Sequence, residues 1–438
     1  MARPGSYLHP AGKPYRFLVL IFVSLLPFGS YFAYDVIGAV VPSLVEELGA
    51  SREEVGGNYT AYSVAAILAL LVGGFMIDRL GTRFSSIIFS VIVTAGALLV
   101  AISDSMGVML SGRFVFGAGS EPLIVAQSAI LARWFKGKEL ALAFGIALTV
   151  SRIGTFLTFN LGETIAEYYG SFRYALYASV ILCVFSLLAN IVYIVLDRRG
   201  ERFLELEEMG AEDRIVFSDI RKFPASYWMV CLLCVTFYSA IFPFTALSTD
   251  FFVDKWGIAA TVTTTGGILQ QMMFKLRHAF DTAGGLTSIP ILASMFLAPF
   301  AGLFVDRYGK RATLMIFGSL LLIPAHLSMA LADIYPAFPM AVLGMAFVLV
   351  PAAMWPAVPL VVKKKHVGTA FGLMTVIQNF GLATFPWLNG LLRDRTHDYR
   401  ASLFMFASLG IAGLVFAFLL KRADKREGGV LESGSQLS

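Results

Sequence analysis

Two opposite charges stand where an apolar chain is expected to hold none. Glu121 and Arg152 each lie inside an apolar run long enough to cross a bilayer, at about the same depth. A guanidinium grips a carboxylate through two parallel N–H bonds, and a carboxylate takes an ammonium as a charge-assisted partner. Set level on neighbouring helices, the two groups could hold a zwitterion by its two ends. The alternative is a structural ion pair that neutralises itself in the bundle. A third charge, Asp35, sits about two-thirds along the first run and could take a substrate amine or a proton. It could also pair with Arg113 as a gate. Arg113 and Glu121 are eight residues apart, so they share one helix face. Each such charge costs a few kcal/mol at a membrane helix centre, so each should face a cavity or a partner.

The second half of the chain carries no comparable charge at mid-depth. It offers Tyr238, Trp355, Gln378 and Asn379, with Tyr238 and Trp355 as a wall for a variable side chain. Pro351, Pro356 and Pro359 are expected to break their run and free carbonyls to line a cavity. No nucleophile–base set and no metal-ligand spacing appears, so neither an enzyme nor a cofactor is expected. Cys231 and Cys234 form a C-x-x-C without a second half or a nearby histidine. They and Cys183 read as small buried apolar residues, and His326 as a core histidine or a partner to a carbonyl.

A different pattern supplies the moving parts. The skeleton G-x-x-x-D-R-x-G-x-R runs from Gly74 to Arg83 and recurs 228 residues later from Gly302 to Arg311. Each copy lies between two apolar runs. Gly74 is expected to let helices approach closely, and Gly81 to permit a sharp turn. Asp78, Arg79 and Arg83, with Asp306, Arg307 and Arg311 in the second copy, are expected to make gating contacts that form in one state and break in another. Two such turns at matching places suggest two halves that rock against each other.

The elements that must position these residues follow from composition. Hydrophobic residues make up 57% of the chain and charged residues 14%, against about 45–50% and about 25% in soluble proteins. An all-α membrane protein is therefore expected. Twelve spans are read at about 17–42, 57–77, 84–103, 108–131, 141–165, 174–196, 227–249, 285–305, 312–331, 338–361, 369–390 and 401–420. They form two pseudo-symmetric six-helix bundles, residues 1–196 and 227–420. A charged linker, 197–226, joins them, with a short surface helix at Leu204–Glu208, and residues 421–438 form a tail. The first run is too long for a leader core and reads as span one. Between spans 7 and 8, residues Ile268–Phe280 read as an interfacial amphipathic helix. With both termini on one side, that side holds 24 Lys and Arg against 8 on the other. The bias places both termini in the cytoplasm. Because the bases sit at span ends, nucleic acid is not an expected partner, whereas membrane lipid is.

The repeated turn resembles the signature of the major facilitator superfamily, over essentially the whole chain. Longer strings are similar to a lysosomal dipeptide-carrier branch of it. They include Gly29-Ser30-Tyr31-Phe32-x-Tyr34-Asp35, Gly112-Arg113-Phe114-Val115-Phe116-Gly117-x-Gly119-x-Glu121, Ser151-Arg152-Ile153-Gly154 and Ile377-Gln378-Asn379. The resemblance implies the twelve-span major facilitator fold and a dipeptide substrate. It implies facilitated movement working by alternating access, with Glu121 and Arg152 handling the peptide termini. Asp35 leaves proton coupling open. The resemblance also implies a single-span accessory protein as a possible partner. Three departures stand out. The N-terminus lacks the acidic dileucine signal of the lysosomal branch. The stretch Gly266–Gly284 looks inserted. Asn58-Tyr59-Thr60, the lone glycosylation sequon, abuts a span. A cell membrane, plasma or bacterial inner, is therefore favoured over a lysosomal one. The rival reading is a proton-coupled symporter of peptides or small organic anions, with Glu121 or Asp35 as the proton site. A sensor or scaffold built on the linker is a weaker third.

Overall fold

In the computed structural model, residues 9–10, 12–135, 139–201, 223–363 and 366–433 are described. The proposed surface helix at Leu204–Glu208, most of the central linker, Lys136–Lys138, and Lys364 and Lys365 lie outside them. The described residues form α-helices with no strand. The first expected span is not one helix. It runs as α1 (Lys13–Ser24), α2 (Phe28–Ala39) and α3 (Val41–Leu48). Pro27 has no N–H to continue the ladder and its ring crowds the preceding turn, which places the first break at residues 25–27. Then come α4 (Arg52–Ala101), α5 (Met106–Phe135), α6 (Leu140–Tyr169) and α7 (Arg173–Glu201).

The later helices are α8 (Ala225–Thr245), α9 (Ser248–Trp256), α10 (Ile268–Arg277), α11 (Ala283–Thr287), α12 (Ile289–Tyr308), α13 (Arg311–Leu331), α14 (Ala337–Val361), α15 (Val367–Thr396) and α16 (Arg400–Arg426). Ten helical segments among the described residues are long and apolar enough to cross a membrane. The stretches expected as spans 2 and 11 are helical but not among the ten. In the latter, Gln378, Asn379 and Asn389 dilute the apolar character.

The helices group into two compact units. One comprises Met1–Ile37, Ala61–Thr158 and Ser171–Gly210, and the other Gly38–Thr60, Phe159–Gly170 and Ala211–Ser438. The ends of the first-half helices away from the termini thus group with the second half. The first unit is built around Tyr15, Val23, Phe89, Phe116, Leu123 and Trp134. Small residues set its closest helix approaches. A Cβ on Gly117 would come within 2.3 Å of the Tyr62 carbonyl oxygen, and one on Gly96 within 2.3 Å of the Phe116 nitrogen. In the second unit α16 packs on both α8 and α13, α14 packs on α12 and α13, and α15 on α8.

Two expectations are corrected here. A Cβ on Gly74 or on Gly302 would meet nothing within 4 Å, so neither first glycine of the repeat serves close packing. Pro351, Pro356 and Pro359 lie inside one continuous helix, α14. Each removes a single donor, and the neighbouring turns keep the ladder going. The sequon is closed to a glycan because Asn58 is fully buried, its amide donating to the Glu54 carbonyl at 3.0 Å. The three cysteines are buried, as expected. So is His326, whose Nδ1 lies 2.9 Å from the Leu322 carbonyl.

Both turn glycines do what the repeat suggests. Gly81 sits at φ 76°, ψ 163° inside α4, and Gly309 at φ 69° after α12. A side chain is strained there. Gly81→Ala is expected to cost about 1–3 kcal/mol, read as a lowered melting temperature of the purified protein. A melting temperature equal to wild type would show that the turn can relax.

Candidate functional site

The first unit brings the three membrane charges to one neighbourhood. Asp35 comes from α2, Glu121 from α5 and Arg152 from α6. Tyr31, one turn before Asp35, is within electrostatic range of Arg152, Glu121 and Asp35 alike. The Arg152 guanidinium carbon stands 6.0 Å from the Tyr31 ring centre, a cation–π distance. Tyr62 Oη donates to Glu121 Oε1 at 2.9 Å and lies 3.0 Å from Ser120 Oγ. Ser120 Oγ in turn lies 2.6 Å from Ser30 Oγ. Asp35 is buried, within range of both Arg152 and Arg113. Glu121 and Arg152 are half-buried.

Arg113 is 1% exposed and is held in an aromatic box. Its guanidinium carbon is 5.4 Å from the Tyr34 ring, 5.7 Å from Tyr62 and 5.3 Å from Phe116. Its Nη1 and Nη2 donate to the carbonyls of Ala33 and Tyr34 at 2.9 and 3.0 Å. Arg113 thereby fixes the end of α2 that carries Asp35. Sequence spacing places Arg113 on the Glu121 face but gives no hint of these backbone contacts. Tyr62, which touches Glu121 and flanks Arg113, escapes sequence reading, because a tyrosine in an apolar run reads as packing.

The second-half residues lie in the other unit. Trp355 Nε1 donates to Tyr238 Oη at 2.9 Å. Tyr238 stacks on Phe242 with 5.6 Å between centroids, and Trp355 on Phe371 with 6.0 Å. The expected aromatic pair therefore exists. Gln378 Oε1 is 3.8 Å from the Cys234 thiol. Asn379 turns back along its own helix to donate to the Thr375 carbonyl at 3.0 Å.

The repeated turns are held differently. In the first, Asp197 of α7 is wholly buried and is the acceptor for Arg83, for Arg133 and, at 2.6 Å, for the Trp134 indole. Arg83 also reaches Glu201 at 2.7 Å. Asp78 and Arg79 are exposed, with Arg79 over the Phe75 ring at 4.5 Å. In the second, Asp306 and Arg307 are exposed and Arg311 is buried. Arg311 meets the C-terminal tail instead of a helix acid. Its backbone N–H donates to the Leu431 carbonyl at 2.9 Å and its Nη1 to the Ser433 carbonyl at 3.1 Å. Glu432 accepts from the Thr313 N–H and hydroxyl at 2.9 and 2.7 Å, where the positive N-terminus of α13 favours an anion.

At the end away from the termini a latch appears that sequence reading misses. Arg52, at the start of α4, grips Asp250 of α9 with Nε at 3.1 Å and Nη2 at 3.0 Å, and Tyr399 Oη donates to the same carboxylate at 2.5 Å. Asp394 of α15 accepts from the N–H groups of Arg52 and Glu53 at 3.2 and 2.7 Å, capping α4. The partners are 198 and 342 residues apart in the chain. The sequence signal is charge at span ends, which a solvated loop explains equally well. Arg52→Ala leaves a buried Asp250 carboxylate without its fork, so it is expected to cost about 3 kcal/mol or more. The check is the accessibility of a cysteine placed at the buried Ala246, which takes no part in the latch. Labelling should rise several-fold in the variant, and unchanged labelling would mean that the latch holds nothing shut.

The sequence profile of the Major Facilitator Superfamily matches residues 23–273 and 256–436. The chain is similar to the lysosomal dipeptide transporter MFSD1 of Danio rerio, 31% identical over 447 residues, covering 98% of this chain and 92% of the relative. It is likewise similar to that of Homo sapiens, 32% identical over 441 residues, covering 97% and 90%. Among solved structures, the crystal structure of the nucleoside transporter NupG aligns with a TM-score of 0.67 at 15% identity, over 93% of this chain and 99% of that one. That likeness concerns the fold alone.

Proposed function

The chain belongs to the major facilitator superfamily, a non-catalytic transport family, and from that premise we propose that it carries dipeptides across a membrane by alternating access. It is a multi-pass membrane carrier of a small molecule. The stretches read as spans 2 and 11 cross as well, making twelve. Both termini are cytoplasmic, by the bias of Lys and Arg, and the cell membrane is the favoured location. Arg152 takes the peptide carboxylate in a fork, and Glu121 takes the amino terminus. The single observation that carries this reading is the gathering of Glu121, Arg152 and Asp35 around Tyr31, with Glu121 held by Tyr62. Opposite charges in one neighbourhood select a substrate with both signs. Backbone ends, not side chains, are then the recognised groups, so side-chain demand is low. Sequence identity of 31% with a dipeptide transporter across nearly the whole chain supports the same substrate class.

The test is uptake into liposomes holding the purified protein. A labelled dipeptide should enter and be displaced by other dipeptides. N-acetylated or C-amidated dipeptides should compete poorly, because each lacks one charged end. Equal competition by a blocked peptide would remove the two-ended clamp.

A second reading is favoured by Asp35. A buried carboxyl within range of Arg152 and Arg113 is a group that can exchange a proton as the site fills and empties. On that reading the carrier moves peptides or small organic anions together with protons, with Asp35 or Glu121 as the proton site. A pH dye inside the vesicles separates the modes. Substrate-driven acidification in the direction of uptake supports coupling. Uptake with no pH change leaves simple facilitated movement.

A further inference from the structure

Helix α10, in the long link between α9 and α11, is inside out for a helix in water. Two of its polar side chains, Gln271 and Lys275, point into the protein. Gln271 is buried, and its Oε1 takes the Thr264 N–H at 2.8 Å while its amide donates to the Thr264 carbonyl. Lys275 is 1% exposed. Its Nζ donates to Thr282 Oγ1 at 2.5 Å, with Asn160 Oδ1 at 3.4 Å and the Ala279 carbonyl at 3.5 Å. Three acceptors match the three donors of an ammonium. Burial pulls that ammonium down to about 8, partly offset by Asp281.

The apolar side chains point the other way. Leu269, Met273, Leu276 and Phe280 are all exposed, Leu269 by 70%. Spacing of four and three residues lines Leu269, Met273 and Leu276 along one stripe of α10, and Phe280 follows in the short 3-10 turn after it. Gln270, Arg277 and His278 flank it and are exposed too. The stripe is continuous with an apolar surface on neighbouring helices. Tyr335 Oη donates to the Phe280 carbonyl at 3.2 Å, and Leu331, Ile334 and Phe338 around it are exposed, Phe338 by 65%. Leu331 and Phe338 belong to α13 and α14, two of the helices fit to cross the membrane.

An outward apolar face with an inward polar one has a low free energy only where the outside is apolar. We propose that α10 is a lid lying in the bilayer surface at the end away from the termini, its stripe set at the boundary of acyl chains and headgroups and its inner face pinned by Lys275. Arg277 sits where its long stem can reach a phosphate headgroup. On the inner side the same lysine joins three elements. Asn160 belongs to α6 and also donates to Ser288 Oγ, just before α12, at 3.1 Å, and Thr282 caps α11. Movement of the ends of α6 and α12 therefore pulls on a lid whose other face is held by lipid. The inference goes beyond the proposed function and holds whatever solute is carried.

The experiment uses full-length protein with Cys183, Cys231 and Cys234 replaced by alanine, in phosphatidylcholine–phosphatidylglycerol vesicles. Single nitroxide labels go on Met273→Cys, Leu276→Cys and, for comparison, Gln270→Cys. Relaxation by oxygen, which concentrates in lipid, is compared with relaxation by a water-soluble nickel chelate. The labels at 273 and 276 should respond several-fold more to oxygen, and the label at 270 more to nickel. Stronger nickel access at 273 and 276 would place the stripe in water and overturn the proposal. Protection from both reagents would mean that a second copy covers it, and would overturn it equally. Adding Lys275→Met to the 276-labelled protein should raise the label's mobility while keeping its oxygen preference. Unchanged mobility would remove Lys275 as the pin.

Discussion

On the proposed function, dipeptide uptake is expected to fall roughly 100-fold when Arg152 becomes alanine, the equivalent of about 3 kcal/mol of lost interaction. The physical ground is that a desolvated carboxylate without its guanidinium keeps its burial cost and loses its partner. Lysine at the same place restores the charge but not the planar fork, so Arg152→Lys should recover only part of the uptake. The loss must also depend on the peptide. A C-amidated dipeptide has no carboxylate to lose, so whatever uptake it shows should change little between wild type and Arg152→Ala. Glu121→Gln should give the mirror pattern, hurting peptides with a free amine and sparing N-acetylated ones. The check is initial uptake rate over a substrate series for each variant, with amounts of folded protein matched by gel filtration. If Arg152→Ala weakens both kinds of peptide equally, the arginine supports the helix bundle and does not read the substrate.

The second large effect concerns stability. Asp197→Asn is expected to destabilise the protein by about 3–5 kcal/mol. Asp197 is wholly buried and takes donors from Arg83, Arg133 and Trp134, drawn from α4 and α5. An amide leaves two guanidinium groups facing a neutral partner and turns an acceptor into a donor beside them. Thermal unfolding in detergent measures this, and should show the largest fall in melting temperature among single polar substitutions at the terminal end. A change of less than one degree would mean that Arg83 and Arg133 find other acids at once. Glu201, already 2.7 Å from Arg83, is the obvious substitute. The double variant Asp197→Asn with Glu201→Gln separates those cases.

Much of the fold was legible because apolar length and charge bias are strong local signals. Apolar runs placed most of the spans. The repeated turn marked Gly81 and Gly309, whose positive φ values need no long-range information. Glu121, Arg152 and Asp35 stood out because a charge inside a membrane helix is costly, and cost is visible without knowing the partner. What failed to show was pairing between distant segments. Asp197 read as the first residue of a charged linker, yet α7 continues past it and buries it. Arg52 and Asp250 read as ordinary charges at span ends. Arg113 stood out as a charge, but nothing local announced its bonds to the carbonyls of Ala33 and Tyr34. The prolines of α14 misled in the opposite direction, because a missing N–H breaks a helix only when nothing nearby keeps the ladder aligned. Gly74 misled for a related reason. A conspicuous glycine signals close packing only if another helix is there to approach.

Whether one site reads both ends of a peptide is tested most directly by ligand-dependent thermal stabilisation of the purified protein. A ligand that binds only the folded state raises the melting temperature with its concentration. The account predicts stabilisation by several unrelated dipeptides, loss of that effect when either terminus is blocked, and no effect of free dipeptide on Arg152→Ala. Stabilisation by a carboxylate that lacks an amine, at concentrations where dipeptides do nothing, would contradict the two-ended clamp and assign the site to an organic anion.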